Sequence, residues 1–411
     1  MGVSLIGTWM QTIGQTWFVY KLTNSAFLTG IVGMLQFAPV LIFSLFAGVF
    51  IDRLPKKKVL IVTQTALMLL AFALAGLVWS GRAQYWHILI IASLLGLVTT
   101  VDGPAKMTYM IELVGRKDLM NAIALNSAVF NCARIIGPAI AGVLMGYMGI
   151  AFCFLVNGIS FIPVILSLTR IKITYEAKIE KPRANILHEI KEGLLYALKS
   201  RILIMTLISA SIIGAFAINF TVLVPVFTKE VLHLEEAGFG LLMSCLGVGS
   251  LLGSLLIAST SKYGPKRIVL LASPIAISVF LILIGFSNYY MVTGFFLALA
   301  GFFVVVFNST VNSTLQLNTS DEYRGRVMSL YMLAFMGVTP FGNLFVGSIA
   351  EQFGSKIAFI SCGLMILILL LIINLFIKVK MGTGLRSTYG ENKIYNKDDA
   401  LFLKSDKKDL F

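Results

Sequence analysis

GVFIDRLPKKKVL, residues 48–60, places five charged side chains and a proline between two stretches that are almost wholly apolar. The apolar runs on either side are near 20 residues, about the length at which a helix crosses roughly 30 Å of hydrocarbon. The charged stretch therefore reads as the aqueous loop between two membrane spans. The rest of the chain agrees: its 411 residues are 58% hydrophobic and 13% charged, against about 45–50% and about 25% in soluble domains.

Working outward from this loop gives about twelve spans. The first six lie near 3–20, 27–51, 59–79, 85–113, 119–147 and 149–168, and the second six near 201–228, 237–260, 267–286, 290–316, 324–350 and 356–378. The expected fold class is an all-α polytopic membrane protein. The first span is the most dilute, because Gly7, Gln11, Gly14 and Gln15 interrupt it. A signal peptide is the competing reading there, and neither a basic n-region nor a small-residue cleavage site supports it.

Basic residues of short loops stay on the cytoplasmic side. The loops and tail on one side of a twelve-span chain hold 27 of its 33 lysines and arginines, among them Arg53, Lys56, Lys57 and Lys58, Arg116 and Lys117, and Arg324 and Arg326. The opposite loops hold Lys21, Arg82, Lys229 and Lys356. The net charge of +14 is thus a topology signal within a lipid bilayer, and nucleic acid is not an expected partner. Both termini are expected in the cytoplasm of a cell whose plasma membrane carries the protein.

A polar segment divides the chain into a bundle at 1–168 and a bundle at 201–380, with a linker at 169–200. Ile186, Leu187, Ile190, Leu194 and Leu198 recur in it at helical spacing, which predicts an amphipathic helix at the membrane surface. The tail, 381–411, is charged and without periodicity and is expected to be disordered. The halves look like repeats. GPAIAGVLMGYMG at 137–149 corresponds to TPFGNLFVGSIAEQFG at 339–354, an offset of roughly 205–210 residues that suits a duplicated six-helix unit.

Twelve spans split six and six, the cluster Gly48, Asp52, Arg53, Lys56 and Lys57, and the run Arg134, Gly137, Pro138 and Gly142 together resemble the major facilitator superfamily. GTWMQTIGQTWFVYKLTNS and NCARIIGPAIAGVL are similar to its enterobactin-exporter and macrolide-efflux-like permeases. The resemblance implies a secondary active transporter, with two pseudo-symmetric six-helix bundles and an alternating-access cycle, that exports a small amphipathic molecule such as a drug or siderophore. Two departures stand out. Pro55 replaces the usual loop glycine, and the usual segment leading into the first helix is absent, which suggests a truncated start. A non-transporting membrane scaffold or lipid-handling protein is the alternative from another class.

Candidate residues follow from where polarity enters the spans. Gly48 and Asp52 lie one turn apart at the end of the second helix, where the helix dipole is unfavourable to a carboxylate. With Arg53 they form a candidate gate against the cytoplasmic start of the eleventh helix. Gly137, Pro138 and Gly142 give the fifth helix a close-packing, flexible face. Asp102, Lys106 and Arg134 are charges inside spans, where each costs about 2.5–3.5 kcal/mol unless paired or wet. Asp102 is expected to pair with Lys106 or Arg134 and to couple transport to protons, or else to be a static structural pair. Gln11, Gln15, Asn126, Asn131, Asn219, Asn308 and Asn312 are candidate cavity-lining, substrate-binding positions, with Phe216, Phe220 and Phe303 as candidate walls. LGVGSLLG, 246–253, reads as helix packing. No GxxxxGK[ST] loop or grouped histidine and cysteine ligands occur, so no cofactor, metal or enzymatic site is expected. The four cysteines are expected as buried thiols.

Overall fold

Thirteen of the fourteen described helices carry the apolar runs read above or their halves. The computed structural model describes residues 2–52, 54–171, 186–260 and 264–384. In order the helices are α1 Gly2–Thr23, α2 Ala26–Asp52, α3 Lys56–Trp79, α4 Tyr85–Met148, α5 Ile150–Arg170, α6 Ile186–Lys199, α7 Arg201–Phe216, α8 Phe220–Glu230, α9 Glu236–Thr260, α10 Arg267–Phe286, α11 Tyr290–Leu317, α12 Asp321–Met336, α13 Thr339–Phe353 and α14 Ser355–Gly384. Met1–Leu367 forms one compact unit. Ile368–Phe411 forms a second, in which α14 continues as helix to Gly384, past its expected end at 378. The surroundings of Gly48, the side chain of Asp52, all of Arg53, the linker residues 172–185 and the tail beyond 384 lie outside the described residues.

Among the described residues, eleven helical stretches are long and apolar enough to cross a membrane. α1, of 22 residues, has the length of a span but is too dilute in apolar residues to be counted with them. Its polarity is handled within the helix: the hydroxyls of Thr8, Thr12 and Thr16 donate to the carbonyls of Ser4, Thr8 and Thr12 at 2.8–2.9 Å, the back-bonding that lets threonine sit in an apolar helix. The fourth and fifth spans are the two arms of α4, separated where Gly115 takes φ 71° and ψ 174°, a conformation that glycine adopts without steric cost.

Two spans read as continuous are broken instead. The seventh divides into α7 and α8 at Ala217–Asn219, and the eleventh into α12 and α13 at Gly337 and Val338. The breaks face each other. A side chain at Gly214 would meet the Phe335 carbonyl, and one at Gly342 the Ala215 carbonyl. The internal repeat appears in the backbone: Gly149 ends α4 at φ 84°, ψ 163°, and Gly354 ends α13 at φ 85°, ψ 160°.

The loop quoted first holds a specific contact. Lys57 donates to the carbonyls of Thr169 and Ile171 at 3.1 and 2.8 Å, placing a cation at the negative C-terminal end of α5. α6 packs on the start of α12, where Arg326 meets Glu192 at 2.7 Å and Tyr196 stacks on Tyr323 with ring centres 4.4 Å apart. The second glycine of LGVGSLLG and the last pack as expected, Gly249 and Gly253 lying against the backbone of α11.

The two halves are sealed together at the end where α1 passes into α2, the Thr23 end. In the second arm of α4, Gly142 lies against Gly240 of α9, and Ser244 of α9 donates to the Ile135 carbonyl at 3.0 Å. α2 and α13 meet through Gly30, Gly33, Asn343 and Gly347. Small residues allow this approach of backbones. Polar contacts cap it. Lys21 pairs with Glu236 at 2.9 Å, Tyr20 and Ser355 both donate to Glu230 at 3.1 and 2.9 Å, and Lys229 donates to Asn24 at 2.9 Å.

Candidate functional site

Two adjoining cavities occupy the bundle. The first, of about 160 Å³, lies within the first half between α1, α3, α4 and α5. Its floor is the Asp102 carboxylate, which is 6% exposed. One oxygen accepts from the Thr63 hydroxyl and the Gln64 amide, both at 2.7 Å, and the other meets the Lys106 ammonium at 2.6 Å. Spacing explains the pair: residues i and i+4 share one helix face. Pro104 between them has no N–H. That leaves the Thr100 carbonyl without its helical donor. Lys106 is 31% exposed, so the cavity reaches the ammonium first and the carboxylate behind it.

Two hydrogen-bond partners and one opposite charge offset the desolvation of Asp102. The opposite wall is α1, where the Gln11 side-chain oxygen accepts from the Asn157 amide at 2.6 Å.

The second cavity, of about 300 Å³, lies between the halves and shares Thr8, Thr12, Gln15 and Gln36 with the first. From the second half come Phe220 and Thr221 at the start of α8, Met243 of α9 and Asn343 of α13. Arg134 lines it, with its guanidinium 5.7 Å from the Trp9 ring centre. Of the two partners expected for Asp102, the structure selects Lys106 and places Arg134 in the other cavity.

Gln11, Gln15 and Asn126 line the first cavity, and Gln15 the second as well. Four amides expected beside them lie elsewhere. Asn131 bonds the Ser127 carbonyl of its own helix, and Asn219 bonds the Ala215 carbonyl at the α7–α8 break. Asn308 accepts from Tyr331 at 3.0 Å, and Asn312 from Gln316. Of the expected aromatic walls only Phe220 reaches a central cavity; Phe216 packs on Phe345 and Phe303 on Phe280. Gly137 lies against Trp9 of α1, and Gly142 and the Pro138 carbonyl against α9. The cysteines are all free thiols; Cys153 and Cys362 are buried, while Cys132 is exposed on the surface of α4, against expectation. Sequence reading missed Thr8, Gln36, Gln64 and Asn157, whose only mark is a polar side chain within an apolar run.

A helical bundle of two repeated halves, closed at one end and holding a polar cavity with a half-buried ion pair, has the build of a membrane transporter. The family described as transmembrane secretion effector matches residues 2–400, and the chain belongs to it, within the major facilitator superfamily. It is 27% identical over 357 residues to the staphyloferrin A transporter of Staphylococcus aureus, covering 85% of this chain and 87% of that one. It is 26% identical to the multidrug efflux pump Tap of Mycolicibacterium fortuitum, covering 88% and 90%. The crystal structure of a point mutant of the nucleoside transporter NupG superposes with a TM-score of 0.74 at 13% identity, over 90% of this chain and 95% of that one.

Proposed function

We propose that this transporter exports a small amphipathic molecule, of the siderophore or drug class, across the plasma membrane in exchange for protons. The observation that carries the reading is the Asp102 carboxylate, buried beside a polar cavity and held by Lys106, Thr63 and Gln64. A proton arriving on Asp102 releases Lys106. A proton leaving restores the pair. Such a two-state cluster links occupancy of the cavity to proton binding.

The distribution of lysine and arginine assigns the Thr23 end to the outside and both termini to the cytoplasm. The conformation is then closed outward, and the cavities load from the cytoplasm. On this reading the bundles at 1–168 and 201–380 rock against each other and part the glycine crossings when the outer end opens, with the linker 169–200 and the tail 381–411 on the cytoplasmic face. Gly48, Asp52 and Arg53 form the inner gate with the start of α12, closing when the outer seal opens. Gly137, Pro138 and Gly142 shape the moving crossing, and Gln11, Gln15 and Asn126 meet the substrate. The names of the relatives supply the substrate class. The test is accumulation of a compound panel in an efflux-deficient bacterial host, with and without a proton uncoupler. Expression lowers the accumulation of at least one amphipathic compound, and the uncoupler abolishes the difference. Lowered accumulation that the uncoupler leaves intact contradicts proton exchange, and no effect on any compound contradicts export.

A further inference from the structure

We propose that Arg134 and Trp9 form an anion subsite in the cavity between the halves, so that the transported molecule carries a carboxylate-like group on an apolar, ring-bearing body. The consequence for transport rests on the exporter reading; the binding chemistry does not.

The cavity is about 300 Å³, and among the described residues no aspartate or glutamate lines it. Arg134 is its one charged residue among the described lining residues. The Arg134 Nε is closed off from solvent and has no hydrogen-bond partner. Asp102 of the same helix and Glu236 of the facing α9 are engaged elsewhere, Asp102 with Lys106, Thr63 and Gln64, and Glu236 with Lys21. A guanidinium in a low-dielectric cavity attracts an anion strongly, because little water screens it. Its planar fork matches a carboxylate in particular.

The remaining walls describe the rest of the ligand. Trp9 lies under the guanidinium and meets Phe130 edge to face at 5.9 Å, and Phe37 and Phe220 complete an aromatic side. Asn343, 1% exposed and on the opposite half, lines the same cavity, and among the described residues its side-chain oxygen has no hydrogen-bond partner. That oxygen suits a hydroxyl or amide donor on the ligand. An anion bound to Arg134 from α4 and a donor bound to Asn343 from α13 would make one ligand touch both halves.

The test uses the purified full chain in detergent and three probes of one shape: 2-naphthoate, neutral 2-naphthamide and cationic 2-naphthylmethylammonium. Binding is followed by calorimetry at neutral pH. Naphthoate binds wild type about tenfold or more tighter than the amide, the ratio expected of a charged hydrogen bond, and the ammonium binds weakest. Arg134→Gln brings naphthoate and amide to equal affinity, and Arg134→Lys keeps part of the preference. Equal binding of naphthoate and amide by wild type, a preference for the ammonium, or failure of all three to bind overturns the proposal. So does a preference that survives in Arg134→Gln while only thermal stability falls, which marks a structural arginine. If Arg134→Gln does not fold, the wild-type ranking and Arg134→Lys still decide. Because no gradient is applied, naphthoate binding without any transport refutes the exporter reading and leaves the subsite intact.

Discussion

Replacing Gly240 by alanine tests the seal between the halves at the Thr23 end. A Cβ there would lie 2.6 Å from the Pro138 carbonyl oxygen and 2.7 Å from the Gly142 Cα, whereas carbon atoms rest about 3.5–4.0 Å apart. Every nearby atom belongs to backbone, so α4 and α9 must part by roughly 1 Å at the crossing. Overpacking of this kind costs about 1–3 kcal/mol. The strain exists only when this end is closed, and it biases the equilibrium toward the opposite state by about 5- to 150-fold. Gly142→Ala, whose nearest contacts lie at 3.1 Å, acts in the same direction and more weakly. Gly146→Ala, on the same helix face to open space, is the control and leaves the equilibrium unchanged. Nitroxide labels at Ser80 and Tyr289, both exposed and one on each half at this end, report the separation by double electron–electron resonance in a Cys132→Ser background. The long-distance population grows in Gly240→Ala. A distribution identical to wild type in folded, monodisperse Gly240→Ala refutes the placement of the seal at this crossing.

Three further outcomes follow from the same contacts. Lys21→Gln shifts the label distances less than Gly240→Ala, because Lys21 is 55% exposed and such a pair contributes about 1 kcal/mol or less; molar salt imposed on wild type reproduces the change. Asp102→Asn strands Lys106 and lowers stability in detergent denaturation by about 1–3 kcal/mol, below the roughly 3–5 kcal/mol of a fully buried pair because Lys106 is partly wet. Adding Lys106→Gln recovers part of that loss, and a double variant less stable than the single contradicts the pairing. Reporter fusions after Lys58 and Lys380 read cytoplasmic and one after Gln84 reads external, while an external signal at Lys380 reverses the last spans.

Features that depend on one helix or on composition were legible in the sequence. The spans follow from apolar run length, the Asp102–Lys106 pair from its i,i+4 spacing, and the matching ends of α4 and α13 from the glycines in GYMG and EQFG. Features that depend on a neighbouring helix were not. Thr63 and Gln64 reach Asp102 from α3, and no periodicity announces which turn of one helix faces which turn of another. Asn308 and Asn312 looked like cavity residues because they are polar within a span; Tyr331 and Gln316 take up that polarity locally. The breaks at Ala217–Asn219 and at Gly337 and Val338 escaped because hydropathy averages over both sides of a break. Arg134, a charge within the spans and a candidate partner of Asp102 by sequence, lines the other cavity in this conformation, since sequence distance does not reveal the wall of α1 between the two cavities.

The central claim is that Asp102 links the transport cycle to protons, and neutralising its pair tests it most directly. Wild type and Asp102→Asn/Lys106→Gln are reconstituted in vesicles with a trapped pH indicator, and the compound that the accumulation panel identifies is supplied under an imposed pH gradient. Wild type concentrates the compound while protons move the other way, and the double variant, which keeps the side-chain sizes and removes both charges, only equilibrates it. A double variant that still concentrates the compound against its gradient contradicts the account and leaves Asp102 and Lys106 as a static brace of α4 against α3.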